Sequence, residues 1–523
     1  MLLLAVCLLW PFSALATRQA EDPEAPVASA GELLLDRWQA EAARQWALEQ
    51  LEREPHHPLR RFLLGQALFY LGRYQDALDM FDRALELLPH PRFQAYREFV
   101  AQTRDSTAAL QLMETEHFQI YIDPERDAAL VPYVAEVLEQ SYQRLGALFD
   151  LFPSEKIRVE IFPTTDTFYP ASSLAARDIE VSGAIGICKF NKIMLLSPRN
   201  LARGYRWTDS LSHEYIHYLL VYLSGNRAPI WLHEGIAKYF EDAWRLPDSA
   251  WLSRHTESLL AHALKHDSFV GFANMEPSLV KLETAYQVQL GYAEAASAID
   301  FIVLRLGARG LVAILRHLSQ HQQDSATEAI ARVMGLEFDE FQSQWRQFLS
   351  TKQLQEHDGV RLPRFQLKEG DALPVDDLKQ ELQSGAARLH TRLGDRLRQR
   401  GRIRASAAEY RRAINKAPES PYLLNKLAVV LMEQKRWQLA RQHLQHARSL
   451  APDHVTTHTN LGRLYLALPE NDLARLALRE AIQINPFDPA IHQLLAESYR
   501  RLGQTDQAQR EYALFQRLQE SQR

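Results

Sequence analysis

Two histidines four residues apart, with a glutamate beside the first, form the segment His213-Glu214-Tyr215-Ile216-His217. In a helix, residues at i and i+4 lie on one face with their Cβ atoms about 6 Å apart, so both imidazoles can reach one metal ion. Glu214 is rotated from His213 by about 100° around such a helix and can lie beside the metal rather than on it. From that position a carboxylate can take a proton from an activated water molecule.

A second segment supplies another possible ligand. Pro229-Ile230-Trp231-Leu232-His233-Glu234-Gly235-Ile236-Ala237 is expected to open a new helix, with Pro229 suited to its first turn. The intervening Ser224-Gly225-Asn226-Arg227 is a turn signal. The sequence therefore predicts a helix over 208–223, a reversal, and a second helix that brings Glu234 against the face carrying the two histidines.

Together the two segments resemble the gluzincins, whose signature is HExxH followed by a third-ligand glutamate on the next helix, often written W-L-x-E-G-x-A. The chain looks like the peptidase-MA-like group, which is often joined to tetratricopeptide repeats. The resemblance is one of motif over 208–243 and of architecture over 116–350. Sixteen residues lie between His217 and Glu234, slightly fewer than in aminopeptidase relatives, which suggests a shorter connection between the helices. The matching positions are His213, Glu214, His217, Trp231, Leu232, Glu234, Gly235 and Ala237.

The resemblance implies a role for each residue. His213, His217 and Glu234 would bind one zinc ion, and Glu214 would be the general base. Tyr292, in a Gly-Tyr-Ala-Glu segment that is expected to start a helix, resembles the family tyrosine that steadies the oxyanion. Tyr286 is the alternative for that role. The expected strand at 184–190 resembles the edge strand that pairs with extended peptide substrates.

Another histidine pair has the same spacing. His262 and His266 are also four residues apart, but no glutamate lies between them in the corresponding position. We expect them to be solvated histidines on the surface of a helix.

The C-terminal third of the chain repeats with a period of 34 residues, which resembles the tetratricopeptide repeat. Each helix pair of such an array cannot bury its own apolar face, so neighbouring pairs stack and small residues permit close approach. Four units fit into 387–522. Positions that keep the step include Pro418, Pro452 and Pro486; Leu393, Leu427, Leu461 and Leu495; and Ala413, Ala447, Ala481 and Phe515.

These patterns divide the chain into segments. Residues 30–105 carry one to two similar repeats, and 385–523 carry the four clear ones. Residues 112–352 lack the period and are expected to form a small sheet, with strands at 117–122, 157–162, 184–190 and 192–196, followed by helices. This layout fits an α+β, thermolysin-like gluzincin catalytic domain. Residues 353–384, charged and bearing prolines and glycines, are expected to be a linker that lets the C-terminal repeats move. The protein should be mostly helical overall.

The N-terminus reads as a secretory signal peptide, residues 1–16, with cleavage after Ala16. The chain is therefore expected to be exported, to the periplasm or beyond. Cleavage would remove Cys7 and leave Cys188 alone, so no internal disulfide is expected. No later segment is apolar enough to span a membrane. The net charge of −5 over 523 residues gives no electrostatic reason to expect nucleic acid as a partner.

Three functional readings remain open from the sequence. The first is a zinc-dependent metallopeptidase that hydrolyses peptide bonds, with repeat arms that bind a protein. The second is a repeat-based protein-interaction scaffold whose metallo-domain is catalytically inactive. The third is hydrolysis of a non-peptide amide, such as in cell-wall material. Glu214 favours the first over the second, and the choice between endo- and exopeptidase activity stays open.

Overall fold

In the computed structural model of the chain, the described residues are 29–174, 185–246, 251–357, 367 and 382–520. The expected signal peptide, 1–16, lies outside them, as does most of the expected linker, 353–384. The described part of the chain is mostly helical, as expected. None of its helices combines the length and the apolar character that crossing a bilayer requires.

Five helices form the N-terminal arm, where the pattern over 30–105 predicts one to two helix pairs. Aromatic side chains fill their interior, with Phe62 stacked on Phe93 and tilted against Phe81. The helices are α1 (Ala30–Asp36), α2 (Ala40–Arg53), α3 (Pro58–Tyr70), α4 (Tyr74–Leu87) and α5 (Pro91–Thr107).

A five-stranded mixed sheet follows. Its order is β1-β2-β3-β5-β4, with the central three strands parallel and each edge strand antiparallel to its neighbour. The sequence predicted strands at the positions of β2, β3, β4 and β5 but not at β1, whose side chains are mostly exposed and show no alternation. The strands are β1 (Gln111–Glu114), β2 (Phe118–Ile122), β3 (Ile157–Phe162), β4 (Gly186–Lys189) and β5 (Lys192–Leu196).

Helices cover the sheet and continue the central domain. The long helix α11 is interrupted at Gly307, whose φ of 67° is not helical. The sheet alone does not identify a thermolysin-like domain. The helices are α6 (Val131–Phe149), α7 (Thr165–Ser172), α8 (Trp207–Ser224), α9 (Ile230–Phe240), α10 (Arg254–His266), α11 (Ala285–Gln320), α12 (Ala326–Met334) and α13 (Phe338–Thr351).

The C-terminal array consists of four helix pairs, as the 34-residue period predicts. Within it, the leucines and alanines that keep the period are largely buried between neighbouring helices. The helices are α14 (Gly385–Gln399), α15 (Ile403–Ile414), α16 (Pro421–Glu433), α17 (Trp437–Leu450), α18 (Val455–Ala467), α19 (Asn471–Ile484), α20 (Pro489–Arg501) and α21 (Thr505–Glu520).

The array packs firmly on the central domain, contrary to the expectation that it moves independently. The indole of Trp207, fully buried at the start of α8, donates to the carbonyl of Ile482 in α19 at 3.0 Å. Tyr133 of α6 donates from its hydroxyl to Glu511 of α21 at 2.7 Å. Ile482 also belongs to the apolar core that runs through the central domain. Buried aromatic and hydrogen-bonded contacts of this kind oppose free movement.

Candidate metal centre

The paired segments fold as the sequence predicts, with small shifts at their ends. Helix α8 ends in a left-handed cap at Gly225, with φ of 62°, which turns the chain sharply. Helix α9 begins at Ile230, so Pro229 caps the helix rather than occupying its first turn. Gly235 lets α9 approach α11 closely, because a Cβ at this position would lie 2.7 Å from the carbonyl oxygen of Ala295. Helices α9 and α11 therefore pack closely at Gly235.

The reversal brings the three expected ligands into one cluster. Nε2 of His213 and Nε2 of His217 each lie 3.4 Å from Oε2 of Glu234. One ligand atom from each residue lies within 4.8 Å of the others. The three side chains are 13–21% exposed, so the cluster is shielded but reachable from solvent.

The donor set fits a zinc ion. At about 2.1 Å from a tetrahedral zinc, ligand atoms are separated from one another by about 3.4 Å. Two of the separations in the cluster have that value. Oε2 of Glu234 is buried without a hydrogen-bond partner among the described residues. A buried carboxylate oxygen left in this way is costly, and a cation at the centre of the cluster would satisfy it.

Glu241, which follows α9, orients His213. Its Oε2 lies 3.2 Å from Nδ1 of His213, and its other oxygen forms an ion pair with Lys238. Burial opposes protonation of His213, but the contacts with Glu234 and Glu241 outweigh it and raise the pKa of His213 to about 10. The site is therefore strongly cation-attracting. A carboxylate on Nδ1 also fixes the ring so that Nε2 points to the metal position.

His233 orients the second histidine. Its Nδ1 lies 3.2 Å from Nδ1 of His217. Burial and the neighbouring His217 lower the pKa of His233 to about 3, so its ring is neutral and can accept a hydrogen bond. If His217 donates from Nδ1, its Nε2 keeps a lone pair directed at the cluster.

Glu214 lies beside the cluster and against the sheet, as its rotation on the helix predicts. Its side chain is buried, and it accepts a hydrogen bond from the backbone N–H of Cys188 in β4. Burial raises the pKa of the carboxyl group. A Cβ on Gly186 would lie 2.8 Å from both Cγ and Oε1 of Glu214, so the strand passes directly over this side chain.

The two candidate tyrosines occupy different places. Tyr292 lies well inside α11 rather than at its start, and burial together with the charges of Glu234 and Glu214 raises the pKa of its phenol. Tyr292 therefore lies close enough to the cluster to be influenced by its charges. Tyr286 instead lies near His262, with ring centroids 6.3 Å apart. This placement favours Tyr292 for the oxyanion role.

The second histidine pair has a carboxylate neighbour. His262, His266 and Glu356 also have ligand atoms within 4.8 Å of one another. Glu356 is 43% exposed and already pairs with Lys265 at 3.2 Å. Its carboxylate is therefore shared with a cation of the protein, and this group is much less suited to a metal than the cluster on α8 and α9.

Sequence reasoning missed the two orienting side chains, Glu241 and His233. Glu241 lies seven residues after Glu234, a spacing that returns to the same face of a helix. That spacing was a usable signal for Glu241. His233 is adjacent to a ligand, and only the crossing of α8 and α9 shows that it meets His217.

Comparison with known families identifies the repeats. Models described as tetratricopeptide repeat match residues 61–91, 420–486 and 477–510. The first range lies in the N-terminal arm, and the other two lie in the C-terminal array. The chain therefore contains tetratricopeptide repeats in both arms, as expected, and such repeats suggest protein partners.

The similar solved structures each cover less than a third of this chain. A crystal structure of MamA is 20% identical, with 28% of this chain and 86% of MamA covered and a TM-score of 0.25. The first tetratricopeptide repeat domain of Spaghetti (RPAP3), bound to the HSP90 peptide SRMEEVD, is 16% identical over 24% of this chain and 98% of its own, with a TM-score of 0.23. MamA from Desulfovibrio magneticus RS-1 is 16% identical over 27% and 99%, with a TM-score of 0.19. No curated protein matches the chain.

Proposed function

We propose that the protein is an exported, zinc-dependent metallopeptidase with a gluzincin-type, thermolysin-like catalytic domain at 112–352. One zinc ion would be held by His213, His217 and Glu234. The observation that carries this proposal is the convergence of both Nε2 atoms on Glu234 Oε2, each at 3.4 Å, where that oxygen is buried and has no hydrogen-bond partner in the described part of the chain.

The residues around the cluster suit peptide hydrolysis. A bound zinc ion supplies Lewis-acid polarisation of a carbonyl group and activation of water. Glu214, buried beside the cluster, would take the proton of the attacking water and deliver it to the leaving amine. The phenol of Tyr292 would donate a hydrogen bond to the oxyanion. Strand β4, which crosses over Glu214, would pair with an extended peptide substrate.

The two repeat arms would select the protein that is cleaved. Tetratricopeptide repeats present curved faces on which peptides and proteins bind. This role is common to the peptidase and to the second candidate, an interaction scaffold with an inactive metallo-domain. The buried carboxylate of Glu214 favours the peptidase, because a site that only holds a metal has no need of it.

Replacement of the general base separates the two candidates. Glu214→Gln keeps the shape of the side chain and leaves the three ligands intact. Zinc content should remain at one ion per chain, whereas turnover of an unfolded protein substrate should fall by roughly 10²- to 10⁴-fold. Metal analysis and a fluorescent casein assay on both chains give these values. His213→Ala, which should lose zinc and activity together, is the control.

Three results would contradict the peptidase proposal. If the wild-type chain holds zinc but cleaves no peptide or protein, the interaction scaffold is the candidate that remains. Cleavage of cell-wall amides alone would favour the non-peptide hydrolase. Full zinc retention in both His213→Ala and His217→Ala would exclude the ligand assignment.

The proposal that the protein is exported is based on its N-terminal segment. Ala14 and Ala16 are small residues that flank the proposed cleavage site. N-terminal sequencing of the protein recovered from outside the cytoplasm should therefore find a chain that begins at Thr17. A chain that retains Met1 would contradict the proposal.

A further inference from the structure

The first helix pair of the C-terminal array exposes residues that every later pair buries. Leu389 is 66% exposed and Leu393 is 43% exposed, both on α14. The residues one, two and three repeats later are all at most 1% exposed, and the helices that carry them each pack against the preceding helix pair. These are Leu423, Thr457 and Ile491 for the first position, and Leu427, Leu461 and Leu495 for the second.

An arginine lies in the same face. Arg396 is exposed, yet its equivalents in the three later repeats, Val430, Leu464 and Ser498, are fully buried. Leu389, Leu393 and Arg396 therefore form a stacking face that combines apolar surface with a positive charge. The other end of the array is covered by the central domain, through contacts such as Tyr133 with Glu511.

The surroundings of this stacking face are strongly basic. Residues 385–416 contain ten arginines and lysines but only two acidic residues, in a chain whose net charge is −5. One of those acids, Glu409, is buried and pairs with Arg412. Among the exposed cations of this pair of helices are Arg396, Arg400, Arg402, Arg404, Arg411 and Lys416.

We propose that the stacking face of α14 docks an acidic, amphipathic helix of a partner protein. A helix is the shape that this face accepts, because the first helix of each later pair in the array packs against the second helix of the preceding pair. Leucine-sized side chains at i and i+4 of the partner would cover Leu389 and Leu393. Carboxylates beside them would pair with Arg396, whose planar guanidinium binds carboxylates in a bidentate manner.

The charge distribution favours an acidic protein helix over a second copy of this chain. The last helix of the array, α21, already contacts the central domain, where Arg517 donates to the carbonyl of Pro124. Its sequence from Thr505 to Glu520 carries three acidic and two basic residues, too little negative charge to complement the basic surface.

The test uses the full chain and a defined probe. The probe is a fluorescein-labelled helical peptide with leucines at i and i+4 and glutamates at the flanking positions. A second peptide carries lysine in place of every glutamate. We expect fluorescence anisotropy to show binding of the acidic peptide at least tenfold tighter than binding of the basic one. The affinity should also fall as salt concentration rises.

Variants locate the binding. Leu389→Ala with Leu393→Ala, and separately Arg396→Glu, should each weaken binding of the acidic peptide at least tenfold. Arg396→Glu should in addition improve binding of the lysine peptide, a gain that misfolding cannot produce. The matched controls are Leu473→Ala with Leu476→Ala and Arg448→Glu, which alter exposed residues elsewhere in the array.

Several outcomes would overturn the proposal. Equal binding of both peptides, or loss of binding only in the control variants, would show that the stacking face is not the binding site. Tighter association with phosphatidylglycerol vesicles or duplex DNA than with the acidic peptide would assign the basic surface to another class of partner. A concentration-dependent dimer that Leu389→Asp abolishes would assign the face to self-association. Failure of Glu214→Gln to affect proteolysis would leave this proposal standing, because the stacking face is not part of the metal centre.

Discussion

At the scale of single residues, the proposed metal centre depends on side chains that are not among its three expected ligands. Glu241 contacts Nδ1 of His213 and is itself held by Lys238. An imidazole whose far nitrogen is fixed by a carboxylate loses less freedom on binding a metal and is a stronger donor. The affinity of the site for zinc should therefore depend on Glu241 as well as on the three ligands.

Glu241→Gln should weaken zinc binding by roughly 10- to 100-fold, the usual cost of removing such an outer partner. Competition with a chelator of known affinity measures this. Glu257→Gln is a suitable control, because Glu257 pairs with His357 away from the cluster. Unchanged affinity in Glu241→Gln would show that its contact with His213 has no role in metal binding.

Replacement of Tyr292 tests whether its phenol takes part in the proposed catalysis. Its phenol lies within the field of Glu214 and Glu234, which together with burial raises its pKa and keeps it protonated as a donor. Tyr292→Phe should keep the zinc and lower kcat by roughly 10²- to 10³-fold. Tyr286→Phe, near His262 instead, should leave kcat unchanged. A large loss in Tyr286→Phe alone would reverse the assignment.

At the scale of elements, strand β4 and helix α8 fit together at Gly186. The absence of a side chain there leaves room for the carboxylate of Glu214, which would otherwise meet a Cβ at 2.8 Å. The backbone N–H of Cys188, two residues further along β4, holds the same carboxylate. The edge of the sheet thus determines where the carboxylate of Glu214, the proposed general base, lies.

Gly186→Val should therefore displace Glu214 while leaving the zinc ligands in place. We expect zinc content to be retained and turnover to approach that of Glu214→Gln. Gly385→Val should have a much smaller effect on turnover, because Gly385 begins a distant helix and a Cβ there would have only the end of Arg388 nearby. Loss of zinc in Gly186→Val would mean that the strand supports the ligands and not the base alone.

The elements that the sequence predicts well are those whose residues carry a local period. The HExxH helix, its partner and strand β3 are found at or within one residue of the expected bounds, since apolar periodicity and turn residues specify them locally. Strand β1 shows no alternation of polar and apolar residues, because its pairing with β2, and not the burial of one face, keeps it in the sheet. The contact between Glu241 and His213 depends on how α8 and α9 cross, and a single sequence does not contain that angle. The same limit applies to the contact between Trp207 and Ile482.

At the scale of the whole molecule, the two arms contact opposite ends of helix α8, which carries the expected ligands His213 and His217. At its start, Asp209 accepts from Trp244 and Arg245, and Arg245 also contacts Glu480 of the C-terminal array. Beyond its end, the side chain of Asn226 donates to the carbonyl of Asp36 in the N-terminal arm at 3.0 Å. The repeats of both arms therefore contact the segment that carries His213 and His217. This differs from the expectation that a linker lets the C-terminal repeats move freely.

Deletion of 382–520 should consequently damage the central domain. It would uncover Trp207 and Tyr133 and remove Glu480 from Arg206 and Arg245. Exposing two large aromatic side chains costs about 3 kcal/mol or more, which corresponds to roughly 6–12 °C in thermal midpoint for a domain of this size. Differential scanning calorimetry and hydrolysis of a short unstructured peptide measure the effect. A shorter deletion, 385–450, leaves the contacts of Glu480, Ile482 and Glu511 in the chain and should change the midpoint much less. If the chain that lacks 382–520 keeps the thermal midpoint, the zinc content and the full activity of the intact chain, the array is not needed by the central domain. Its contacts with α8 would then contribute nothing to the proposed metal centre.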